Sequence, residues 1–180
     1  KNNVQFLYET NVGAGLPVLG TLSGLVETGD RIESIRAVIS GSLSYIFNKY
    51  SPGKSFKELI VEARELGYTE PDPRDDLSGQ DVKRKILILS RVAGYAIEPD
   101  EVEVEDILPP ACMVADSVES FYEELDRHDD YFKALIEKAQ STQSKLRYLA
   151  TLENGKASIR LAFVDQSSPF YNLSSTDNMI

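Results

Sequence analysis

The stretch from Gly67 to Lys85 reads GYTEPDPRDDLSGQDVKRK and gathers nine charged side chains around two prolines. These are five carboxylates and four cations: Glu70, Asp72, Asp75, Asp76, Asp81, Arg74, Lys83, Arg84 and Lys85. An apolar run, ILILSRVAGY, follows at once. Such a loop delivers ionisable groups to the edge of a hydrophobic core, where their pKa values can be tuned for chemistry. The stretch therefore indicates a functional site.

The end of this stretch predicts a helix from Asp81 to Tyr95. Asp81 and Lys85 are four residues apart, so they share a helix face and can form an ion pair. The neighbouring face is apolar and is expected to meet the core: Val82, Ile86, Leu89 and Ala93. A partly desolvated lysine can donate a proton to a carbonyl oxygen or accept one from a hydroxyl. The spacing alone favours the alternative, a solvated surface pair that contributes about 0.3–0.5 kcal/mol.

The acidic turn before that helix suggests a ligand site. Glu70, Asp75 and Asp76 lie in a segment stiffened by Pro71 and Pro73. Carboxylates fixed around one lysine can hold a substrate ammonium group through charge-assisted hydrogen bonds. A divalent metal is the alternative, but the run TEPDPRDD lacks the alternating spacing of a calcium loop, and its arginine opposes a divalent ion.

A second loop, Val12 to Gly15, is a weaker candidate. It lies between a predicted strand, Val4–Tyr8, and a predicted helix, Leu16–Glu27, as a phosphate-binding loop would. The third glycine of that fingerprint is missing, and Pro17 stands where the backbone would approach a phosphate. We therefore expect a tight turn with exposed carbonyls, which together with Glu9 can ligate a monovalent cation.

The remaining pattern predicts strands and helices in mixed order. Further strands are expected at Arg31–Ser40, Glu101–Ile107, Lys145–Leu152 and Lys156–Val164, the last two joined as a hairpin by Glu153-Asn154-Gly155. Further helices are expected at Leu43–Lys49 with Ser42 as N-cap, at Phe56–Leu66 with a Ser55/Glu58 capping box, at Val118–Leu125 and at Asp129–Ala139. The predicted fold is a single α/β (α+β-like) domain over residues 1–180, a mixed sheet with helices packed mainly on one face.

Composition narrows the functional classes. The net charge of −10, without a basic stripe, argues against nucleic-acid and anionic-membrane binding. No apolar run reaches the ~18–20 residues that cross a bilayer. The single cysteine, Cys112, fits a reducing compartment, and a cytoplasmic location is expected. The chain starts at Lys1 without methionine and stops at Ile180 in an apolar run, which suggests a piece of a longer polypeptide.

Three motifs together resemble homoserine dehydrogenase: GYTEPDPRDDLSGQDVKRK, FLYETNVGAGLPV (residues 6–18) and ISGSLSYIFNKY (residues 39–50). The likeness is closest to the dehydrogenase half of the bifunctional aspartokinase–homoserine dehydrogenases. It implies interconversion of L-homoserine and L-aspartate 4-semialdehyde with NADP or NAD, in threonine and methionine biosynthesis. It also implies that this chain is the substrate-binding and dimerisation domain, active as a homodimer, and that flanking segments bind the cofactor.

The resemblance assigns roles to individual residues. Lys85 matches the catalytic lysine. Glu70 and Asp81 match carboxylates that hold the substrate ammonium, and Asp76 matches a further acidic pocket residue. Pocket-lining positions are implied for Tyr68, Gly41 and Ser42. Glu9 and the carbonyls of Val12, Ala14 and Leu16 match a monovalent-cation site for Na⁺ or K⁺.

Two rival functions remain open from the sequence. An acidic pocket can bind an amino acid without chemistry, so the chain can instead be a non-catalytic dimerisation or amino-acid-sensing module. A carboxylate-dependent divalent-metal hydrolase is the third hypothesis. Under the dehydrogenase hypothesis the isolated chain is expected to be inactive, because its sequence contains no dinucleotide-binding fold.

Overall fold

A computed structural model of the protein describes residues 4–180 and contains one four-stranded mixed sheet. The strands are β1 (Ser34–Ala37), β2 (Glu103–Val104), β3 (Lys145–Glu153) and β4 (Lys156–Val164). Their order across the sheet is β1-β3-β4-β2. The β1/β3 and β3/β4 pairs are antiparallel, whereas the short edge strand β2 runs parallel to β4.

Helices account for most of the remaining described chain. They are α1 (Leu19–Glu27), α2 (Gly41–Lys49), α3 (Phe56–Glu65), α4 (Arg74–Leu77), α5 (Gln80–Val92), α6 (Pro110–Met113), α7 (Val118–Arg127) and α8 (Asp129–Ser141). Short 3₁₀ turns occupy Glu9–Asn11 and Pro99–Glu101. None of the helices between residues 4 and 180 has the length and apolarity needed to cross a membrane.

The sheet is covered by helices mainly on one face, as predicted. On β3 the residues that face the helices, Leu146, Tyr148, Ala150 and Leu152, are all buried, and helices α2, α5 and α8 pack against this strand. The opposite face is more open, and Leu149 lines surface grooves there. From Tyr148 to Glu153, buried and accessible residues of β3 alternate, which is the period-2 pattern of a strand with one covered face.

The central hairpin forms where the sequence places it. Strands β3 and β4 pair along their whole length, from Lys145 opposite Val164 to Glu153 opposite Lys156. The turn residues Asn154 and Gly155 both have positive φ, 52° and 75°. Asparagine and glycine tolerate this conformation best, and it matches the twist of a two-residue hairpin turn.

Several predicted boundaries are wrong. The segment Val4–Tyr8 forms no strand, and Val4, Phe6 and Leu7 are largely exposed. A strand requires a neighbour for its backbone hydrogen bonds, and no described residue pairs with this segment. The strand predicted over Arg31–Ser40 is confined to β1, since only its residues 34–37 pair with β3.

Helix starts and ends differ by a few residues. Helix α2 begins at Gly41, two residues earlier than predicted, because Ser40 rather than Ser42 is the N-cap and its Oγ accepts a hydrogen bond from the Leu43 amide. Helix α1 begins at Leu19, after Pro17. Helix α5 ends at Val92, before Gly94 at φ 91°. The capping box of α3 is present as predicted.

Two short helices were not predicted at all. Helix α4 forms inside the charged stretch, and α6 begins at the second proline of Leu108-Pro109-Pro110. Both have only four residues, too few to show a helical apolar period in the sequence. Their stability comes from one buried side chain each, Leu77 in α4 and Cys112 in α6.

The start of α5 rests directly on the central strand. Gly79 occupies the N-cap position with φ 69°, and a Cβ added there would lie 2.4 Å from the hydroxyl oxygen of Tyr148. Tyr148 is buried, and its hydroxyl donates a hydrogen bond of 2.9 Å to the Glu105 carbonyl. Gly79 therefore serves two purposes, a left-handed backbone and a close helix–strand approach.

Replacing Gly79 by alanine is expected to destabilise the fold by more than backbone strain alone. Gly53 offers a matched control, since it has φ 86° but nothing within 4 Å of an added Cβ. We expect Gly53→Ala to cost about 1 kcal/mol, and Gly79→Ala to cost roughly 1–3 kcal/mol more through overpacking. Urea unfolding of both variants measures the difference, and equal losses would contradict the packing argument.

Candidate active site

A pocket of about 380 Å³ lies where the start of α2, the acidic segment and the first turns of α5 meet. We call residues Glu70 to Leu77 the acidic arm. The pocket is lined by Ser40, Gly41, Ser42, Tyr68, Glu70, Asp75, Asp76, Asp81, Arg84 and Lys85. All seven residues that the family resemblance assigned to catalysis or substrate binding are therefore in one place.

Lys85 is fixed by two contacts. Its Nζ lies 2.7 Å from Oδ2 of Asp81 and donates a 2.9 Å hydrogen bond to the carbonyl of Ile39. The side chain is 23% exposed, and the stripe beside it (Val82, Ile86, Leu89 and Ala93) is buried. An ammonium group carries three protons, so one remains for a ligand in the pocket. The predicted position of Lys85 at the boundary of the core is confirmed.

The contact between Lys85 and the Ile39 carbonyl was not predicted from the sequence. This carbonyl follows β1 and reaches a lysine 46 residues away. Only the packing of α5 beside the end of β1 brings the two together. Side-chain patterns carry no signal for a backbone carbonyl that acts as a ligand.

The acidic arm is closed by its own hydrogen bonds. Oδ2 of Asp76 accepts a 2.8 Å bond from the Glu70 amide, and the Asp75 amide donates 3.1 Å to the Asp72 carbonyl. Leu77 at the end of α4 is buried. These contacts present Glu70, Asp75 and Asp76 to the pocket on a short, constrained turn.

Asp72 and Arg74 point elsewhere and do not line the pocket. The Arg74 guanidinium bonds both carboxylate oxygens of Asp72, at 2.5–3.1 Å. This bonding holds the pKa of Asp72 below its usual range and raises the pKa of Arg74. The positive charge of Arg74 is therefore paired with Asp72 outside the pocket.

The start of α2 forms the opposite wall. The hydroxyl oxygens of Ser40 and Ser42 lie 3.0 Å apart, and both residues are buried. Gly41 packs against the segment near the carboxyl end of the chain, since an added Cβ would lie 3.5 Å from Cβ of Thr176. Ser40 was absent from the predicted lining. The sequence signal that could have identified Ser40 is its position directly before a helix, where serine is a preferred N-cap.

Tyr68 is held from behind by a second tyrosine. The rings of Tyr68 and Tyr45 have centroids 4.5 Å apart. The Tyr45 hydroxyl donates a 2.8 Å hydrogen bond to Glu62, and this bond raises the pKa of Tyr45 to about 12. Tyr45 thus stays a neutral donor and supports the aromatic wall of the pocket.

The balance of charge favours a cationic group. The lining carries four carboxylates (Glu70, Asp75, Asp76 and Asp81) and two cations (Arg84 and Lys85), an excess of two negative charges. Within residues 4–180, no group of three or more His, Cys, Asp or Glu side chains is arranged to hold a metal ion. The arrangement can bind an ammonium group while a lysine proton faces the other end of the ligand.

The predicted cation loop adopts the expected tight turn. Gly13 and Ala14 both have positive φ, and the Leu16 amide bonds the Gly13 carbonyl at 2.9 Å. The Glu9 carboxylate has a different use, because its two oxygens accept 2.7 Å bonds from the amides of Leu19 and Gly20. Glu9 therefore caps α1 through its carboxylate.

The comparisons with known proteins assign the chain to a family. The family model for homoserine dehydrogenase matches residues 17–180. A bifunctional aspartokinase/homoserine dehydrogenase of Haemophilus influenzae is 45% identical over 98% of this chain and 22% of its own length. An enzyme of the same description from Escherichia coli K12 is 42% identical over 99% and 22%. The chain belongs to the homoserine dehydrogenase family and spans about a fifth of the length of these relatives.

Solved structures share the fold. A Candida auris protein described as of unknown function superposes with a TM-score of 0.89 at 39% identity, covering 94% of this chain and 49% of that one. A hyperthermophilic archaeal homoserine dehydrogenase in complex with NADPH gives 0.62 at 27% identity, covering 93% and 43%. The family and the predicted fold class are thereby confirmed.

Proposed function

We propose that this chain is the substrate-binding domain of an enzyme that interconverts L-homoserine and L-aspartate 4-semialdehyde with NADP or NAD. The pathway that we propose is threonine and methionine biosynthesis. The observation that carries the proposal is the position of Lys85. Its ammonium group contacts Asp81 and the Ile39 carbonyl, and its third proton is free for a ligand in a pocket whose carboxylates outnumber its cations. Family membership and the description of relatives as bifunctional aspartokinase/homoserine dehydrogenases support the proposal.

The chemistry follows from the charges of the pocket. The substrate ammonium binds Glu70 and Asp81, with Asp76 beside them, through charge-assisted hydrogen bonds. This places the C4 oxygen toward Lys85. The nicotinamide, when bound, supplies the hydride that reduces the aldehyde carbon. Lys85 donates a proton to the oxygen, so the aldehyde gains a hydride and a proton and becomes the alcohol; oxidation of homoserine reverses both transfers.

The contacts of Lys85 serve orientation. Asp81 and the Ile39 carbonyl each bind the ammonium group of Lys85, and together they fix its direction. Tyr68, Gly41 and Ser42 complete the walls that exclude water around the reacting carbon. Binding the substrate at its distant amino group supplies the alignment that transfer of hydride and proton requires.

We propose that a flanking domain of the full-length protein holds most of the cofactor. The loop Gly13-Ala14-Gly15 lacks the third glycine of a dinucleotide fingerprint. The same loop is proposed to bind Na⁺ or K⁺ through Glu9 and the backbone carbonyls of Val12, Ala14 and Leu16. The cytoplasmic location stays a prediction, since plant relatives are described as chloroplastic.

The decisive test replaces Lys85 by methionine in the full-length protein. We expect kcat to fall by about 10²–10⁴, the range that a positioned proton donor contributes, because no other lysine lines the pocket within residues 4–180. Steady-state rates with L-homoserine and with L-aspartate 4-semialdehyde measure the effect. Lys83→Met, on the same helix but outside the pocket, is the matched control and keeps near-normal turnover.

The same variant separates the rival function. A non-catalytic sensing module predicts near-normal turnover in Lys85→Met with altered regulation by an amino acid. A hydrolase dependent on divalent metal predicts loss of activity with a chelator. Either result would overturn the dehydrogenase assignment.

The isolated chain is expected to show no dehydrogenase activity. Because its sequence lacks a dinucleotide fingerprint, it should not oxidise NADPH in the presence of L-aspartate 4-semialdehyde. Absorbance at the NADPH band measures this, with circular dichroism as the control that the chain is folded. Detectable turnover would contradict the division of roles between domains.

We also propose a homodimer through the open face of the sheet. Two adjoining grooves of about 750 and 540 Å³ share Arg36 and Leu149 as lining residues. Cations and carboxylates both occur there, including Arg160 and Glu153. A two-fold interface places one patch against its own copy, so charges of both signs allow it to be self-complementary.

Replacing Leu149 by arginine is expected to dissociate the dimer, because it adds a charge at the centre of this face. Sedimentation of the full-length protein measures the oligomeric state. Leu66→Arg is the control, since Leu66 is exposed at the end of α3. An unchanged dimer in Leu149→Arg would rule out this face.

A further inference from the structure

Arg74 anchors the acidic arm to a different part of the fold. Its side chain is 18% exposed, and the guanidinium is bonded on one side to Asp72. On the other side it donates to the carbonyl of Ala115, in the linker between α6 and α7. The Arg74 Cζ atom also lies 5.8 Å from the ring centre of Phe121, a fully buried residue of α7. The arm is thus tied to α7 through one side chain.

Asp72 completes this anchor from within the arm. Oδ1 of Asp72 accepts a 3.0 Å bond from the backbone amide of Arg74 as well as its side-chain bonds. The pair therefore fixes both the backbone at the start of α4 and the direction of the guanidinium. Bidentate arginine–carboxylate contacts are among the strongest polar interactions in proteins and specify geometry as well as energy.

The rest of the arm has few other attachments. Helix α4 is four residues long, with Leu77 as its buried residue. Pro73 is also buried, but Glu70 and Asp75 are exposed. Arg74 therefore contributes the polar link between the arm and the body of the fold, while the carboxylates one to four residues away face the pocket.

We propose that Arg74 is a positioning residue that holds Glu70 and Asp76, the carboxylates of the arm that bind the substrate ammonium together with Asp81. The inference rests on the proposed function and deepens it, because it separates the arm's contribution to ammonium binding from the group that transfers the proton. Lys85 is held by Asp81 and Ile39, neither of which touches Arg74. Losing the anchor should therefore weaken substrate binding more than it slows the chemical step.

The test measures steady-state kinetics of Arg74→Gln and Arg74→Lys in the full-length protein. We expect the KM for L-homoserine to rise about tenfold in Arg74→Gln, with kcat within about threefold and the KM for the cofactor unchanged. Arg74→Lys keeps the charge but loses the forked geometry, so its KM should be intermediate. A fall in kcat with unchanged KM would overturn the proposal.

Arg91→Gln is the matched control. Arg91 also bonds one carboxylate, Glu98, and one backbone carbonyl, that of Ile97, both at 3.1 Å. Neither Arg91 nor its partners line the pocket. We expect its KM and kcat to stay near wild-type values, and an equal rise in KM would show that any lost surface arginine has this effect.

A double-mutant cycle asks whether Arg74 acts through the arm. In a Glu70→Gln background, adding Arg74→Gln should raise KM by much less than tenfold, because the carboxylate that it positions is already lost. Fully additive effects would overturn the proposal. If Arg74→Gln does not fold, Asp72→Asn is the second variant, because it removes the charge of the residue that pairs with Arg74 and keeps its size. It should likewise raise the KM for L-homoserine with little change in kcat.

Different results would contradict the proposed function and the positioning role of Arg74. Normal turnover in Lys85→Met overturns the proposed function itself. A normal substrate KM in Arg74→Gln, with turnover lost in Lys85→Met, leaves the dehydrogenase assignment intact and overturns only the positioning role.

Discussion

The packing of α5 on the central strand β3 is the constraint on which the site depends. Gly79 meets the hydroxyl of buried Tyr148 at the start of the helix, and the apolar stripe that includes Ile86 and Leu89 continues the contact with the core. The helix can therefore neither rotate nor slide without a clash or a cavity. This fixes Lys85 beside the end of β1, where the Ile39 carbonyl becomes its second ligand.

The charged stretch divides into two functions that its composition does not separate. Asp72 and Arg74 neutralise each other and hold the arm against α7. Glu70, Asp75 and Asp76 line the pocket instead. Successive residues of a helical turn point in different directions, so neighbours in sequence can serve a structural pair and a binding site at once. The pocket therefore carries a net negative charge although an arginine lies in the middle of the acidic run.

Prediction succeeded where a local pattern is strong. The Ser55 capping box, the Asn154-Gly155 hairpin and the apolar stripe of α5 all appear as expected. Prediction from the sequence failed where tertiary contacts determine the local structure. The apolar run Val4–Tyr8 forms no strand, because strand formation depends on a pairing partner rather than on its own residues. Helix α4 is too short to show a period in the sequence, and it is held by tertiary contacts of Leu77 and Arg74.

The sequence by itself determined the inventory of the site: which carboxylates and which lysine are present, and the i, i+4 spacing that pairs Asp81 with Lys85. Those features are local, and helix geometry converts spacing into contact. Only the tertiary structure decided which charges face the pocket, that the Glu9 carboxylate caps α1, and that the Ile39 carbonyl, just after β1, orients Lys85. These contacts join residues far apart in the chain, and their partners are backbone groups that every residue carries, so no side-chain pattern announces them.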